Sequence, residues 1–358
     1  MSTTTLPAKT SNSTLVEVDS LIIRTIINDE IDQISPSPHP GVRHPQSFMG
    51  APLTPLNDYP TASAADRGGA TRELRMDTLC CGAHGLSLLI TAVKDGLPRH
   101  SLLFDAGPEG EVWERNARRL GLDVGEIEHV VLSHWHRDHS GGLVSAVRMI
   151  SEAAAATPVV VDVHPDRPAF RGVMIPSTQE PISLQADPTV QELNDAGAVV
   201  RSEGEAHTVL DDMFLVSGAI PRETDYEGGI PGGITFNETS GEWEKDELIM
   251  DERLVMCHLK DKGLVVFTGC SHAGVVNVSR HAVRMGGGRV PLYSVVGGYH
   301  LADASAEKME KSMRDLRALG PEILMPGHCT GWRFKVRVEK EMPGHMAPIF
   351  GGTKYELV

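Results

Sequence analysis

The stretch Ser133-His134-Trp135-His136-Arg137-Asp138-His139-Ser140-Gly141-Gly142-Leu143 decides how this chain is read. Three histidines and one aspartate fall within six residues. Ahead of them, Ile127-Glu128-His129-Val130-Val131-Leu132 ends in an apolar run that predicts a buried strand. Behind the Gly-Gly pair, Leu143-Val144-Ser145-Ala146-Val147-Arg148-Met149-Ile150 predicts a helix. The polar residues therefore occupy a strand-to-helix turn at the carboxyl end of a strand, where open α/β sheets place their sites. Neutral imidazole suits zinc, and a carboxylate adds charge compensation. His134 and His136 share a face because they lie two apart in extended backbone, while Asp138 and His139 turn toward a neighbouring position. The bland alternative is a solvated histidine-rich loop, but an apolar strand and a glycine exit frame the cluster as a metal site requires.

Working outward, the His-x-His-x-Asp-His spacing resembles the signature of the metallo-β-lactamase superfamily. Leu103-Phe104-Asp105-Ala106-Gly107 resembles its upstream strand ending in Asp-x-Gly, and Pro326-Gly327-His328 its last metal-binding turn. Four further segments, Gly218 to Arg222, Thr268 to Gly274, Gly297 to Leu301 and His328 to Gly331, resemble the branch named after the dihydropterin-ribofuranosylaminobenzene phosphate synthases. The resemblance runs from about residue 74 to 331. It implies an α/β chain folded as a four-layer αββα sandwich, with helices outside two facing mixed sheets. It also implies one or two zinc ions, one held by His134 and His136 and a second by Asp138, His139 and His328. Relatives usually carry a further metal-binding histidine in a Pro-Gly-His turn, which is absent here. His272 is the expected replacement, because it follows a strand end, whereas His207 and His258 lack that context. Cys270 stands where relatives keep a bridging aspartate and is read either as a small buried thiol or as a thiolate ligand. His300 is expected to support a ligand or touch substrate, with metal ligation as the alternative. His84, in Ala83-His84-Gly85, resembles a turn that looks into the pocket. Arg222 is a candidate clamp for a substrate anion, with a surface ion pair as the alternative.

The chemistry that this implies is hydrolysis of a small organic substrate by a zinc-activated hydroxide, with Asp138 taking up or orienting the proton. The scaffold also carries hydrolytic dehalogenases of activated aromatics. Two alternatives stand beside it: a pterin-type synthase or lyase that releases phosphate, and a metal-binding protein without catalysis. The net charge of −15 argues against nucleic acid or an anionic membrane as partner. The five cysteines have no regular spacing and do not read as a disulfide framework. With no signal pattern at the N-terminus and no apolar run approaching a membrane span, the expectation is a cytoplasmic protein.

In chain order, residues 1–14 read as disordered and 15–358 as one domain with two departures from regular structure. Residues 34–69, rich in proline, read as a surface excursion, with a lid or the arm of a homodimer as the alternative. His39 and His44 within it read as surface residues. Residues 167–258 read as an irregular insertion with strands at 198–200 and 213–216. His164 and Asp166 read as a capping turn rather than an ion site. Asp303 is expected to cap a helix that closes at Gly320.

Overall fold

The computed structural model describes residues 15–32, 34–37, 39–43, 53–56, 67–154 and 158–358. The expectations for 1–14 and His44 lie outside them. Two large sheets face each other. The first has eight strands, ordered Val199–Ser202, Val160–Val163, Ile127–Val131, His100–Phe104, Ser87–Val93, Ser20–Ile27, Lys354–Leu357 and Val42–Arg43. The second has seven, along the path His207–Val209, Phe214–Val216, Val255–Leu259, Gly263–Thr268, Leu292–Gly298 and Ile323–Gly327, with Glu17–Val18 against Val255–Leu259.

Alternation along the strands explains the layering, because successive side chains leave opposite faces of a sheet. Leu88, Ile90, Leu102 and Phe104 of the first sheet meet Phe214, Val265, Phe267 and Met325 of the second in a central core. Leu89, Leu103 and Val130 point outward onto helices Gly110–Arg119 and Leu143–Ala153. Val266, Val295 and Leu324 do the same onto helices Val275–Met285, Ala306–Leu319 and Trp332–Glu341. These three apolar cores separate four layers, as the αββα reading expected. Among the described residues no helix is long and apolar enough to cross a membrane.

Several local expectations change. Within the insertion at 167–258, read as irregular apart from strands at 198–200 and 213–216, the chain builds a four-stranded sheet, ordered Pro181–Ser183, Arg171–Met174, Gly233–Asn237 and Glu242–Lys245. Its strands are short and largely exposed on one side, so they lack a strong apolar run. In the Pro-rich stretch, Val42–Arg43 joins the first sheet and Leu53–Pro55 pairs with Arg72–Leu74. His39 is buried rather than superficial, its Nδ1 accepting from Gly41 N–H at 3.0 Å. Ser305, not Asp303, caps the helix at Ala306–Leu319 by accepting from Lys308 N–H at 3.1 Å, and Gly320 closes it at φ 67°. His164 accepts from Asp166 N–H at 3.2 Å, as a capping turn should.

Candidate metal centre

The carboxyl ends of the parallel strands of both sheets converge at one end of the sandwich. Asp105 follows His100–Phe104, the histidine turn follows Ile127–Val131, and Cys270 to His272 follow Gly263–Thr268. His300 follows Leu292–Gly298, and His328 follows Ile323–Gly327. Each unit thus delivers a polar side chain to the seam between the sheets.

Three imidazole nitrogens form a triangle there. His134 Nε2 lies 2.9 Å from His136 Nδ1, His136 Nδ1 lies 3.1 Å from His272 Nε2, and His272 Nε2 lies 3.1 Å from His134 Nε2. The proton of His134 can be placed: Ser133 Oγ donates to Asp105 Oδ2 at 2.8 Å, so it accepts from His134 Nδ1 at 2.9 Å, and Nε2 presents a lone pair to the triangle. Burial first, and then neighbouring imidazoles, push His134 and His272 well below the ordinary histidine range. Burial and the Arg171 guanidinium lower His136 to about 4. Neutral, buried imidazoles with convergent nitrogens fit a cation and do not fit one another. The structure brings His272 to this triangle, whereas His258 lies on a sheet strand within 3.5 Å of Glu17.

Beside the triangle, Asp138, His139, Cys270 and His328 form a second group whose ligand atoms lie within 4.8 Å of one another. Cys270 Sγ is 3.1 Å from His139 Nε2 and 3.2 Å from His328 Nε2, and Asp138 Oδ2 is 3.2 Å from His328 Nε2. Cys270 also belongs to a group with His134 and His272, so its sulfur stands between the two positions. Carboxylates fix both histidines from behind. His139 Nδ1 meets Asp105 Oδ2 at 2.7 Å and His328 Nδ1 meets Asp29 Oδ1 at 2.7 Å, which turns each Nε2 toward the centre. Burial would raise the Asp29 carboxyl, but its contacts with His328 and His84 hold it well below the usual carboxylate range.

Asp105 appeared in the sequence only as part of a resembling strand, and Asp29 and Glu252 gave no signal at all. Glu252 accepts from the N–H groups of His272 and Ala273, both at 2.7 Å, and burial lifts its carboxyl to about 7. Arg222 is not among the residues lining the cleft. Its Nη1 donates to the His272 carbonyl at 3.0 Å, so it holds the backbone of a candidate ligand and does not reach into the cleft. His84 and His300 do line the cleft. The His84 ring meets Asp29 Oδ2 at 2.8 Å, and the His300 ring packs 4.5 Å from that of His272.

The cleft holds about 360 Å³. Its floor is His136, Asp138, Cys270, His272 and His328, and its wall is the inserted four-stranded sheet and neighbouring loops, contributing Val173, Leu184, Ile230, Ile234 and Ile249. Arg171 anchors that wall: it donates to Trp135 O at 2.7 Å and pairs with Asp251 at 2.6 Å and Asp246 at 3.0 Å.

Comparison with known proteins agrees with this arrangement. Residues 85–213 match the family model of the metallo-beta-lactamase superfamily. A 7,8-dihydropterin-6-methyl-4-(beta-D-ribofuranosyl)-aminobenzene-5'-phosphate synthase of Methanocaldococcus jannaschii is 26% identical over 268 residues, covering 70% of this chain and 82% of its own. An uncharacterized protein of the same archaeon is 27% identical over 271 residues, 75% of this chain and 93% of its own. A solved structure described as a metal-dependent hydrolase of the beta-lactamase superfamily superposes with a TM-score of 0.62 at 22% identity, covering 93% of this chain and 98% of that one.

Proposed function

Since this chain belongs to the metallo-β-lactamase superfamily, we propose that it is a zinc-dependent hydrolase of a small organic substrate. The observation that supports this most is the convergence of ring nitrogens from His134, His136 and His272 beside the Asp138, His139, Cys270 and His328 group, beneath an apolar-walled cleft. Zinc held by these residues would supply Lewis acidity and activate water near neutral pH.

The chain's own groups supply the rest. Asp138, partly exposed to the cleft, is the carboxylate placed to take up or orient a proton. Asp105 and Asp29 keep the His139 and His328 protons on Nδ1. The apolar wall holds the body of a substrate and excludes water around it. Metal analysis of the purified protein, followed by a panel of ester, phosphoester, lactone and aryl-halide substrates, tests the reading. Zinc together with turnover of one class supports it; zinc without any turnover counts against it. A second reading, a synthase or lyase, draws on the similarity to the pterin-linked synthase. Phosphate release from phosphorylated pterin precursors would favour it.

A further inference from the structure

We propose that Arg137 anchors an anion-binding subsite, so that the substrate carries a carboxylate or phosphate in addition to the group that is cleaved. This deepens the hydrolase reading and rests on it. Two arginines line the cleft, Arg137 and Arg171. Arg171 is neutralised by Asp251 and Asp246. Arg137 has no carboxylate within 4.0 Å among the described residues. Its Nη1 donates to Ala186 O at 2.8 Å, and its Nε is buried without a hydrogen-bond partner among the described residues.

Arg137 also lines an adjoining pocket of about 600 Å³ together with Arg167. Arg167 directs its donors to the carbonyls of Pro168, Asp187 and Pro188, and among the described residues has no carboxylate within ion-pair distance. Glu192 in that pocket feels the charge of both arginines at longer range, but it is committed to the capping box of Thr189.

A half-buried guanidinium without a counter-ion can turn its outward donors to an anion in the cleft. Its planar fork matches two oxygens of a carboxylate or phosphate. Arg137 stands between the ligands His136 and Asp138 in sequence, so an anion held by it lies beside the reacting centre. Val173, Leu184 and Ile234 offer an apolar surface to the rest of the molecule. With a net charge of −15, the protein does not draw anions in from a distance. Local contact has to provide the selectivity.

The purified metal-containing protein, with Arg137→Ala and Arg137→Lys, is titrated calorimetrically with inorganic phosphate and with succinate. Wild type should bind at least one of them, Arg137→Ala should bind it about tenfold or more weakly, and Arg137→Lys should fall between. A response to phosphate alone identifies a phosphoryl group, and to succinate alone a carboxylate. Equal binding by wild type and Arg137→Ala, or no binding of either anion by wild type, overturns the proposal. In a second arm, 4-nitrophenyl hydrogen succinate is compared with 4-nitrophenyl butanoate. The preference for the charged ester should collapse in Arg137→Ala, mainly through KM; an unchanged preference overturns the proposal. If wild type turns over neither ester while anion binding still depends on Arg137, the subsite stands and the esterase form of the hydrolase reading fails.

Discussion

Asp105, Ser271, His300 and His328 hold φ of 60, 60, 48 and 44°, in the left-handed region that side chains seldom adopt. All four stand at strand ends around the centre, where backbone cost is tolerated in exchange for aimed side chains. The aim can be tested one ligand at a time. His272→Ala should lose tightly held zinc, because one corner of the triangle disappears, whereas His258→Ala should keep it. Zinc content after identical dialysis decides, and the reverse pattern would refute the assignment. Cys270 presents one sulfur toward both positions where a bridging carboxylate would offer two oxygens. Two close cations need that compensation. Cys270→Asp should therefore raise the zinc content toward two per chain. If wild type already retains two and the variant gains nothing, the sulfur is an adequate bridge or has no part in the site.

The element that matters most is the turn from strand Ile127–Val131 into helix Leu143–Ala153. Its glycines serve close approach: a Cβ on Gly141 would lie 1.7 Å from Pro108 O, and one on Gly142 would lie 2.1 Å from Ala106 O. Ala106 N–H in turn donates to His139 O at 2.8 Å, which ties the Asp105 loop to the ligand turn. Gly141→Ala should displace that loop at a cost of about 1–3 kcal/mol or more, in line with other overpacking changes, seen as a lowered Tm together with weakened zinc retention. Undiminished stability would show that the loop yields freely. This unit was legible in the sequence because its signals are local: an apolar run, a tight polar cluster and a glycine exit. The four-stranded sheet was not. Its pairing of Arg171 with Thr235 joins residues far apart in sequence, and prolines and glycines break the pattern between them. Asp29 and Glu252 were hidden for a related reason. An isolated carboxylate becomes a support for a ligand only once folding brings His328 or the His272 backbone to it.

Across the whole molecule the two sheets are stapled beside the centre by Arg253. From the segment leading into the second sheet, its guanidinium reaches Asp162 Oδ1 at 2.6 Å and Leu132 O at 2.9 Å in the first, while its N–H donates to Ser133 O at 2.8 Å. His207 meets the same Asp162 carboxylate at 2.6 Å. Burial would raise the Asp162 carboxyl, but His129, His207 and Arg253 together hold it well below its ordinary value. Its contribution to stability is therefore complete above the ordinary value of 3.8 and lost as pH falls through the folded value. Burial would lower His207, and its bond to Asp162 outweighs this and raises it. The His207 contribution is complete below the ordinary value of 6.5 and lost as pH rises through the folded value. The cost of His207→Ala, measured by denaturant unfolding, should accordingly be larger near pH 6 than near pH 9. A pH-independent cost would remove the ion pair from the account.

The pairing of Leu21 with Leu357 has a consequence in time. Strand Lys354–Leu357 lies between Ser20–Ile27 and Val42–Arg43, so a strand made early waits for a partner made much later in the chain. Until then one side of Ser20–Ile27 is an open edge, exposed to any other unfinished chain on the same messenger. A ribosome that stalled after Phe350 would leave a polypeptide holding every candidate ligand from His134 to His328 and still lacking the strand that covers Ser20–Ile27. Such a product should enter aggregates instead of persisting as a metal-loaded fragment.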